Sequence, residues 1–365
     1  MRGESSNQSK LFYRLDLEKF VPEDHPLRAI RKVCDGILKR LDPLLESLYS
    51  DVGRPSIAPE QLLKSLILQS LFGIRSERLL CEQVQYNLLF RWFLALDFED
   101  SAFDHSTLSR NRNRLLEHDV AQQFFNEVVR YAREHGLLSN EHFSVDGTLI
   151  QAFGSQKSFQ AKGGPPSPTS GGDVDFRGEK RSNDTHQSTT DPESRLAKKS
   201  KGSEAKLSYM VVALTENRNG IVVGLATGPA SNSTESEEGL KLIDAVRDEY
   251  SVAVRSLGAD KLFDNDKFLD GLSERRVIPH VSRKKNRKLD SKQRCIIRSK
   301  GFELSQRARR INETIWADAK QHRGFRKSSF VGMAKTGFRA LFAFASGNLI
   351  RIVRCMLKAP IVATG

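Results

Sequence analysis

The chain has 365 residues, 38% hydrophobic and 28% charged, with a formal net charge of +13. That length and composition exclude a largely disordered chain and leave room for a sizeable core in two or more structural units. The positive excess points to a polyanionic partner. Cys34, Cys81, Cys295 and Cys355 form no CxxC pair, which argues against a zinc site or a disulfide framework.

The opening MRGESSNQSKLFYRL has no apolar h-region, so no signal peptide is expected. Residues 20–135 read as helical. Pro59 sits where a helix begins in IAPEQLLKSLILQSLFGI, with Leu62, Leu63, Leu66, Ile67 and Leu71 at helical spacing. Ser76 opens one helix over SERLLCEQVQYNLLFRWFLAL, with Leu79, Leu80, Val84, Leu88 and Phe93 as candidate core positions and Trp92 packed with them. Asp104 or Ser106 caps a third helix in DHSTLSRNRNRLL. A trihelical, helix-turn-helix-like unit over 55–118 follows.

Helical patterning stops at His142, and 143–150 is a strand candidate with Asp146 at its middle. Residues 155–203 are rich in Gly, Ser, Pro, Lys and Asp and read as a mobile loop, whose Lys198, Lys199 and Lys201 are either solvated or phosphate-facing. Strands 207–214 and 220–227 flank TENRNG, an Asn-Gly hairpin signal. A helix over 235–250, a strand over 251–260 ending in Asp260, a helix near 264–274 and a short strand over 276–281 come next. Helices fill the remainder, and the apolar run 337–357, interrupted by Arg339, Asn348, Arg351 and Arg354, reads as an amphipathic helix with no membrane span. One hairpin beside the Asp146 strand, then alternating helix and strand, matches an RNase H-like order. Many α/β proteins alternate in the same way.

Three acids stand out: Asp146 in FSVDGTLI, Asp260 in RSLGADKLF and Glu313 in SQRARRINETIWADAK. On a helical wheel Arg309, Glu313, Trp316 and Lys320 share one sector, with Leu304, Ala308, Ile311, Ile315 and Ala319 opposite. An exposed helix with an ordinary i,i+4 Arg–Glu pair gives the same pattern. Between His280 and Phe330 there are 16 Lys and Arg against 4 Asp and Glu. Arg283, Lys284, Lys285, Arg287 and Lys288 precede Glu313, and Arg323, Arg326 and Lys327 follow it, so they are candidate phosphate contacts or a solvated basic run. Arg110, Arg112 and Arg114, with His105, Ser106 and Asn111, are candidates for base reading or surface charge. Asp264, Asp266 and Asp318 read as surface or capping residues. No GxxxxGK[ST], GxGxxG, GxSxG or HExxH motif occurs, so no nucleotide is implied.

At the three acids the chain resembles the DDE transposases of bacterial insertion sequences, specifically the family of insertion sequence five. That family's signature around its glutamate is Tyr, two residues, Arg, three residues, Glu, six residues, Lys. Arg309, Glu313 and Lys320 match it, and Gln306 stands where Tyr is expected. The segments around SVDGT, GADKLF, DHSTLSR, SYMVVALTENRNGIVVG and NETIWADAKQHRGFRKSSFVGM resemble the family in the same order. The resemblance implies an α/β, RNase H-like catalytic domain (137–358) after an all-helical DNA-binding domain (55–136), with an N-terminal arm and helix over 1–54. It implies that Asp146, Asp260 and Glu313 ligate two Mg2+ or Mn2+ ions per active site. It makes Lys320 a phosphate-orienting residue and Arg309 a support for Glu313 or DNA. It further implies a homodimer or higher oligomer on double-stranded DNA in a bacterial cytoplasm. A nuclease that cuts without joining, or a silent DNA-binding repressor, are the rival readings.

Overall fold

The computed structural model describes residues 16–49, 56–163, 182–200, 202–285 and 287–358. Lys201 and the Gly-Pro-rich centre of the inserted segment, 164–181, lie outside them.

The described residues open with seven helices: α1 (Leu17–Phe20), α2 (Pro26–Ser47), α3 (Pro59–Leu71), α4 (Glu77–Tyr86), α5 (Leu88–Leu94), α6 (His105–Glu117) and α7 (Val120–Glu134). The single helix expected from Ser76 is two. Asn87 stops α4 in extended backbone, and its side-chain oxygen accepts from the N–H groups of Leu89 and Phe90, starting α5. Leu79, expected in the core, faces outward at 41% exposed, whereas Phe93 is fully buried and Trp92 nearly so. Asp104 is the cap of α6, accepting from Ser106 and Thr107.

Then come β1 (His142–Gln151), β2 (Phe159–Ala161), β3 (His186–Ser188), β4 (Arg195–Ala197), β5 (Lys206–Glu216), β6 (Ile221–Pro229), α8 (Asn232–Tyr250), β7 (Ser256–Ala259), α9 (Asp266–Glu274) and β8 (Ile278–Val281). The last described elements are α10 (Ser291–Arg298), α11 (Lys300–Ala308), α12 (Arg310–Gln321) and α13 (Met333–Lys358). β1 pairs antiparallel with β5 and parallel with β7, β5 pairs antiparallel with β6, and β7 pairs parallel with β8. The order β6-β5-β1-β7-β8, with the first three antiparallel, is the RNase H-like arrangement. The hairpin turn is at Gly220, whose φ of +69° suits glycine. Residues 251–255, expected in strand, precede β7 as irregular chain.

The described flanks of the 155–203 segment are packed, contrary to the expectation of a mobile loop. β4 adds to the first residues of β5, and Asp191, fully buried, accepts from Tyr209 Oη at 2.5 Å and from the N–H of Gly332. Composition missed this because a few apolar residues, Phe159 buried and Leu196 packed against the same cluster, act together with buried hydrogen bonds to hold the segment down.

α13 passes through the centre of the molecule. Its Phe342 stacks on Phe124 of α7 with ring centroids 5.8 Å apart, and its Asn348 bonds both backbone groups of Val222 on β6. Arg339 reaches Ser70 of α3 at 2.6 Å. By length and composition α13 is apolar enough to cross a membrane, with 61% of its most apolar window buried inside this fold. One continuous hydrophobic core includes residues of the N-terminal helices, the sheet and α13.

Candidate active site

Two of the three acids meet through the sheet. The parallel register of β1 and β7 pairs His142 with Ser256 and Ser144 with Gly258. Carried on two residues, it places Asp146 level with Asp260, on strands about 4.8 Å apart. Asp260 follows the last residue of β7 and accepts from the N–H of Leu262 at 2.7 Å, which fixes its carboxyl at the strand end.

Strand alternation puts His142, Ser144, Asp146 and Thr148 on one face of β1. α12 lies along that face. Trp316 Nε1 donates to Asp146 Oδ2 at 3.0 Å, and Lys320 Nζ donates to Thr148 Oγ1 at 2.5 Å. Glu313 is three residues before Trp316, hence one turn away, and its side chain is exposed. The wheel's clean division into core and polar faces fails here. Trp316 is buried, edge-on to Phe344 at 5.1 Å, while Leu304, expected in the core, is 53% exposed. The shift in the buried face comes with a one-residue interruption at Arg309, between α11 and α12. Gln306, in the place of the expected Tyr, donates to the carbonyl of His280 at 2.6 Å and accepts from Ser282 Oγ at 2.8 Å, so it ties α11 to the end of β8.

The electrostatics are those of crowded anions. Burial, then the charge of Asp260, pushes the Asp146 carboxyl up to about 6, while Arg309 and the Trp316 donor oppose the rise. Glu235, in the first turn of α8, is pushed up to about 7 by burial, then by Asp260 and Asp146. The sequence reading missed Glu235: in TESEE it looks like an ordinary first-turn helix acid, and only its contact with Gly147 separates it from its neighbours. Burial lowers the Lys320 ammonium to about 8, with Lys199 and Arg326 adding like-charge repulsion. Lys199 from the inserted segment and Arg326 thus stand with Lys320 near the acids. A bridge between Gln151 and Lys327 brings the 326–328 segment beside the end of β1, and Arg326 and Lys327 are exposed.

The acids fit a divalent cation in kind: all donors are hard oxygens, and two of them are buried against like charge. Among the described residues, no three His, Cys, Asp or Glu side chains converge closely enough to hold an ion as they stand. Asp146, Asp260 and Glu235 are brought together electrostatically. Glu313 stands on the neighbouring turn, facing solvent.

The basic candidates divide. Lys284, Lys285 and Lys288 are exposed. Arg283 instead donates to Asp264 at 2.7 Å, and Arg287 pairs with Asp264 and Asp266. Asp264, expected at the surface, is buried, and it also accepts from the N–H of Lys284. Arg323 is buried on Asp318, the two bonds being 3.1 and 3.2 Å, so neither is a free surface charge. Arg112 is turned inward, paired with Glu77 and lying 4.4 Å from the ring centre of Phe330, which removes it from any DNA surface. Asn111 is likewise buried, bonded to the carbonyl of Thr107. Arg110 and Arg114 are exposed, Arg114 lying over Tyr49. The inward turns of Arg112 and Arg283 depend on partners 35 and 19 residues away, which no local pattern reveals, whereas Arg323 and Asn111 bond within five residues of themselves.

Residues 15–114 match the family model described as Transposase domain (DUF772), and residues 138–329, more than half of the chain, match Transposase DDE domain. No curated protein matches the chain. Among solved structures, a piggyBac transposase synaptic complex with hairpin DNA is similar at 9% identity and a TM-score of 0.38, covering 93% of this chain and 83% of that one. A pre-cleavage Mos1 transpososome is similar at 11% identity and a TM-score of 0.23, covering 86% and 83%. The matched DDE region contains Asp146, Asp260, Glu313 and Lys320.

Proposed function

The chain belongs to the DDE transposase family, and on that premise we propose that it binds the terminal inverted repeats of its own insertion sequence, cleaves there and joins the ends to target DNA. The observation that supports this reading is the β1–β7 register, which continued two residues beyond Ser144 and Gly258 sets Asp146 beside Asp260, with the Glu313 helix bonded to Asp146 through Trp316.

Asp146 and Asp260 would hold magnesium or manganese, with Glu313 completing the second of two sites. When bound, the ions supply activation of the attacking oxygen and stabilisation of the leaving one. The protein's own part is positional. Trp316 fixes one oxygen of Asp146, and Arg309 offsets part of the anionic charge there. Lys320, Lys199 and Arg326 form a cationic group that would hold the scissile strand's phosphates next to the acids. Water attacks first and the freed DNA 3′-hydroxyl second, each directly at phosphorus, with no covalent enzyme intermediate. Lys284, Lys285 and Lys288 would give sequence-independent affinity, and Arg110 and Arg114 are the exposed arginines left for reading DNA from the helical region. Pairing of two ends calls for a homodimer or larger assembly, acting in the cytoplasm.

The test is a magnesium-dependent nicking and strand-transfer assay on DNA containing the element's ends. Asp146→Asn, Asp260→Asn and Glu313→Gln are each expected to abolish cleavage and leave DNA binding within a few-fold of wild type. Nicking without joined product would make the protein a nuclease, and binding without nicking a repressor. Cleavage retained in all three variants would remove the catalytic assignment.

A further inference from the structure

Glu235 is a carboxylate that the three-acid reading leaves unused. It is 7% exposed, and α8, which carries it, packs on β5, β6 and β1. Gly239, four residues further along α8, faces Val145, so this helix covers the side of β1 opposite Asp146.

What lets Glu235 approach the acid pair is Gly147. A Cβ on residue 147 would fall 2.8 Å from both Cγ and Cδ of Glu235. The glycine has no other evident reason to be there. It lies inside β1, paired with Val212, without the positive φ that calls for glycine, and a glycine within a strand weakens it. The strand therefore gives up a side chain, and the carboxyl of Glu235 occupies the space beside the backbone of the residue after Asp146.

That carboxyl has no cationic partner among the described residues, and its hydrogen bonding there is to the backbone of Gly147. The charges that act on it most are Asp260 and Asp146, both negative, while Lys198 and Lys199 line the same cavity without pairing with it. A buried, unpaired carboxylate beside two others is costly unless it takes up a proton or a cation completes the group.

We propose that Glu235 is a fourth carboxylate of the metal site, reaching a divalent cation shared with Asp146 and Asp260 through the gap left by Gly147. This rests on the reading of Asp146 and Asp260 as metal ligands. It gives the chain an acid supplied by α8 as well as those of β1, β7 and α12.

The experiment measures Mn2+ binding to the full-length protein, by calorimetry and by the Mn2+-induced rise in melting temperature, for wild type, Glu235→Gln, Gly147→Ala and Asp146→Asn. In Glu235→Gln the dissociation constant is expected to weaken at least tenfold and the Mn2+-induced rise to shrink. Its metal-free melting temperature should be higher than wild type, because a like charge has been removed, whereas a merely structural Glu235 would lower it. Gly147→Ala keeps every carboxylate but displaces Glu235, and should weaken Mn2+ in the same direction. Wild-type affinity in folded Glu235→Gln or Gly147→Ala, with affinity lost in Asp146→Asn, would overturn the role of Glu235 and leave the rest of the site standing. Wild-type protein whose Mn2+ binding does not depend on Asp146 would overturn the metal reading of the site, and this proposal with it.

Discussion

Trp316 Nε1 donates to Asp146 Oδ2 at 3.0 Å, joining the helix that bears Glu313 to the strand that bears the first aspartate. Since Glu313 and Trp316 are one turn apart, any movement of α12 along β1 that displaces Glu313 also breaks this bond. The indole is thus a positional link between two acids that are 167 residues apart in the chain (313 − 146).

Removing that link while keeping the ring is the first prediction. Trp316→Phe retains an aromatic edge against Phe344 but deletes the donor. Cleavage at neutral pH should fall about tenfold, equivalent to about 1.4 kcal/mol, within the range for a hydrogen bond to a charged group. Trp316 lowers the Asp146 pKa, so its loss should raise that pKa and move the acid limb of the pH–rate profile to higher pH. A nicking rate measured from pH 5 to 9 decides it; an unmoved acid limb would show that the indole only packs.

The crowded acids also predict how stability depends on pH. Asp146 rises from 3.8 to about 6 and Glu235 from 4.5 to about 7 on folding. Between pH 4 and 7 the native state therefore binds more protons than the unfolded one. The stability this confers is fully present below about pH 4 and is lost as pH rises through 6 and 7. Metal-free wild type should lose on the order of 2 kcal/mol more than Asp146→Asn between pH 5 and 8. Denaturant melts at the two pH values give the difference, and equal slopes for the two proteins would contradict the crowding.

The basic run before α10 should split into two functions. Lys284, Lys285 and Lys288 are exposed, so changing all three to Gln should weaken DNA binding and reduce the slope of log affinity against log salt by roughly 0.9 for each phosphate no longer neutralised. Arg283→Gln should act differently. It leaves Asp264, whose side chain is fully buried, with only Arg287 and the N–H of Lys284, and should cost about 1.5–3 kcal/mol of stability. Binding isotherms over a salt series, beside urea melts, separate the two effects. A stable Arg283→Gln protein with a reduced salt slope would reverse this division.

What the sequence disclosed and what it concealed follow the range of the interactions. Asp146 and Asp260 were legible because strand patterning and a short local motif place each one, and parallel pairing does the rest. The hairpin at Gly220 and the cap at Asp104 were legible for the same local reason. Asn87 carries an equally local cap signal, but it sits within a long apolar run that masks it. Arg112, Arg283 and Arg323 read as DNA contacts or solvated charge because the pairing of Arg112 with Glu77 and of Arg283 with Asp264, and the burial of the Arg323–Asp318 pair, are fixed only by the tertiary fold. Asp191 hid in a segment with too few apolar residues to suggest burial. Glu235 was illegible because the signal is a pair: an unremarkable helix acid and a glycine 88 residues earlier (235 − 147).

Lys320 supplies the last prediction, because its charge is unsettled before DNA arrives. Burial, Lys199 and Arg326 bring its pKa down to about 8. A phosphate placed against Thr148 and Lys320 would favour the ammonium, so the bound pKa must lie above the free one. Binding then takes up a proton between those two values, and affinity should decline as pH rises beyond about 8. Lys320→Arg keeps its charge throughout that range, so its affinity should be flat from pH 7 to 9 while that of wild type falls severalfold. Isotherms at fixed ionic strength, with the proton uptake measured calorimetrically in two buffers of different ionisation enthalpy, test both halves. If wild type and Lys320→Arg show the same pH dependence, the phosphate does not sit at Lys320, and the strand must be held by Arg326, Lys327 and Lys199 instead.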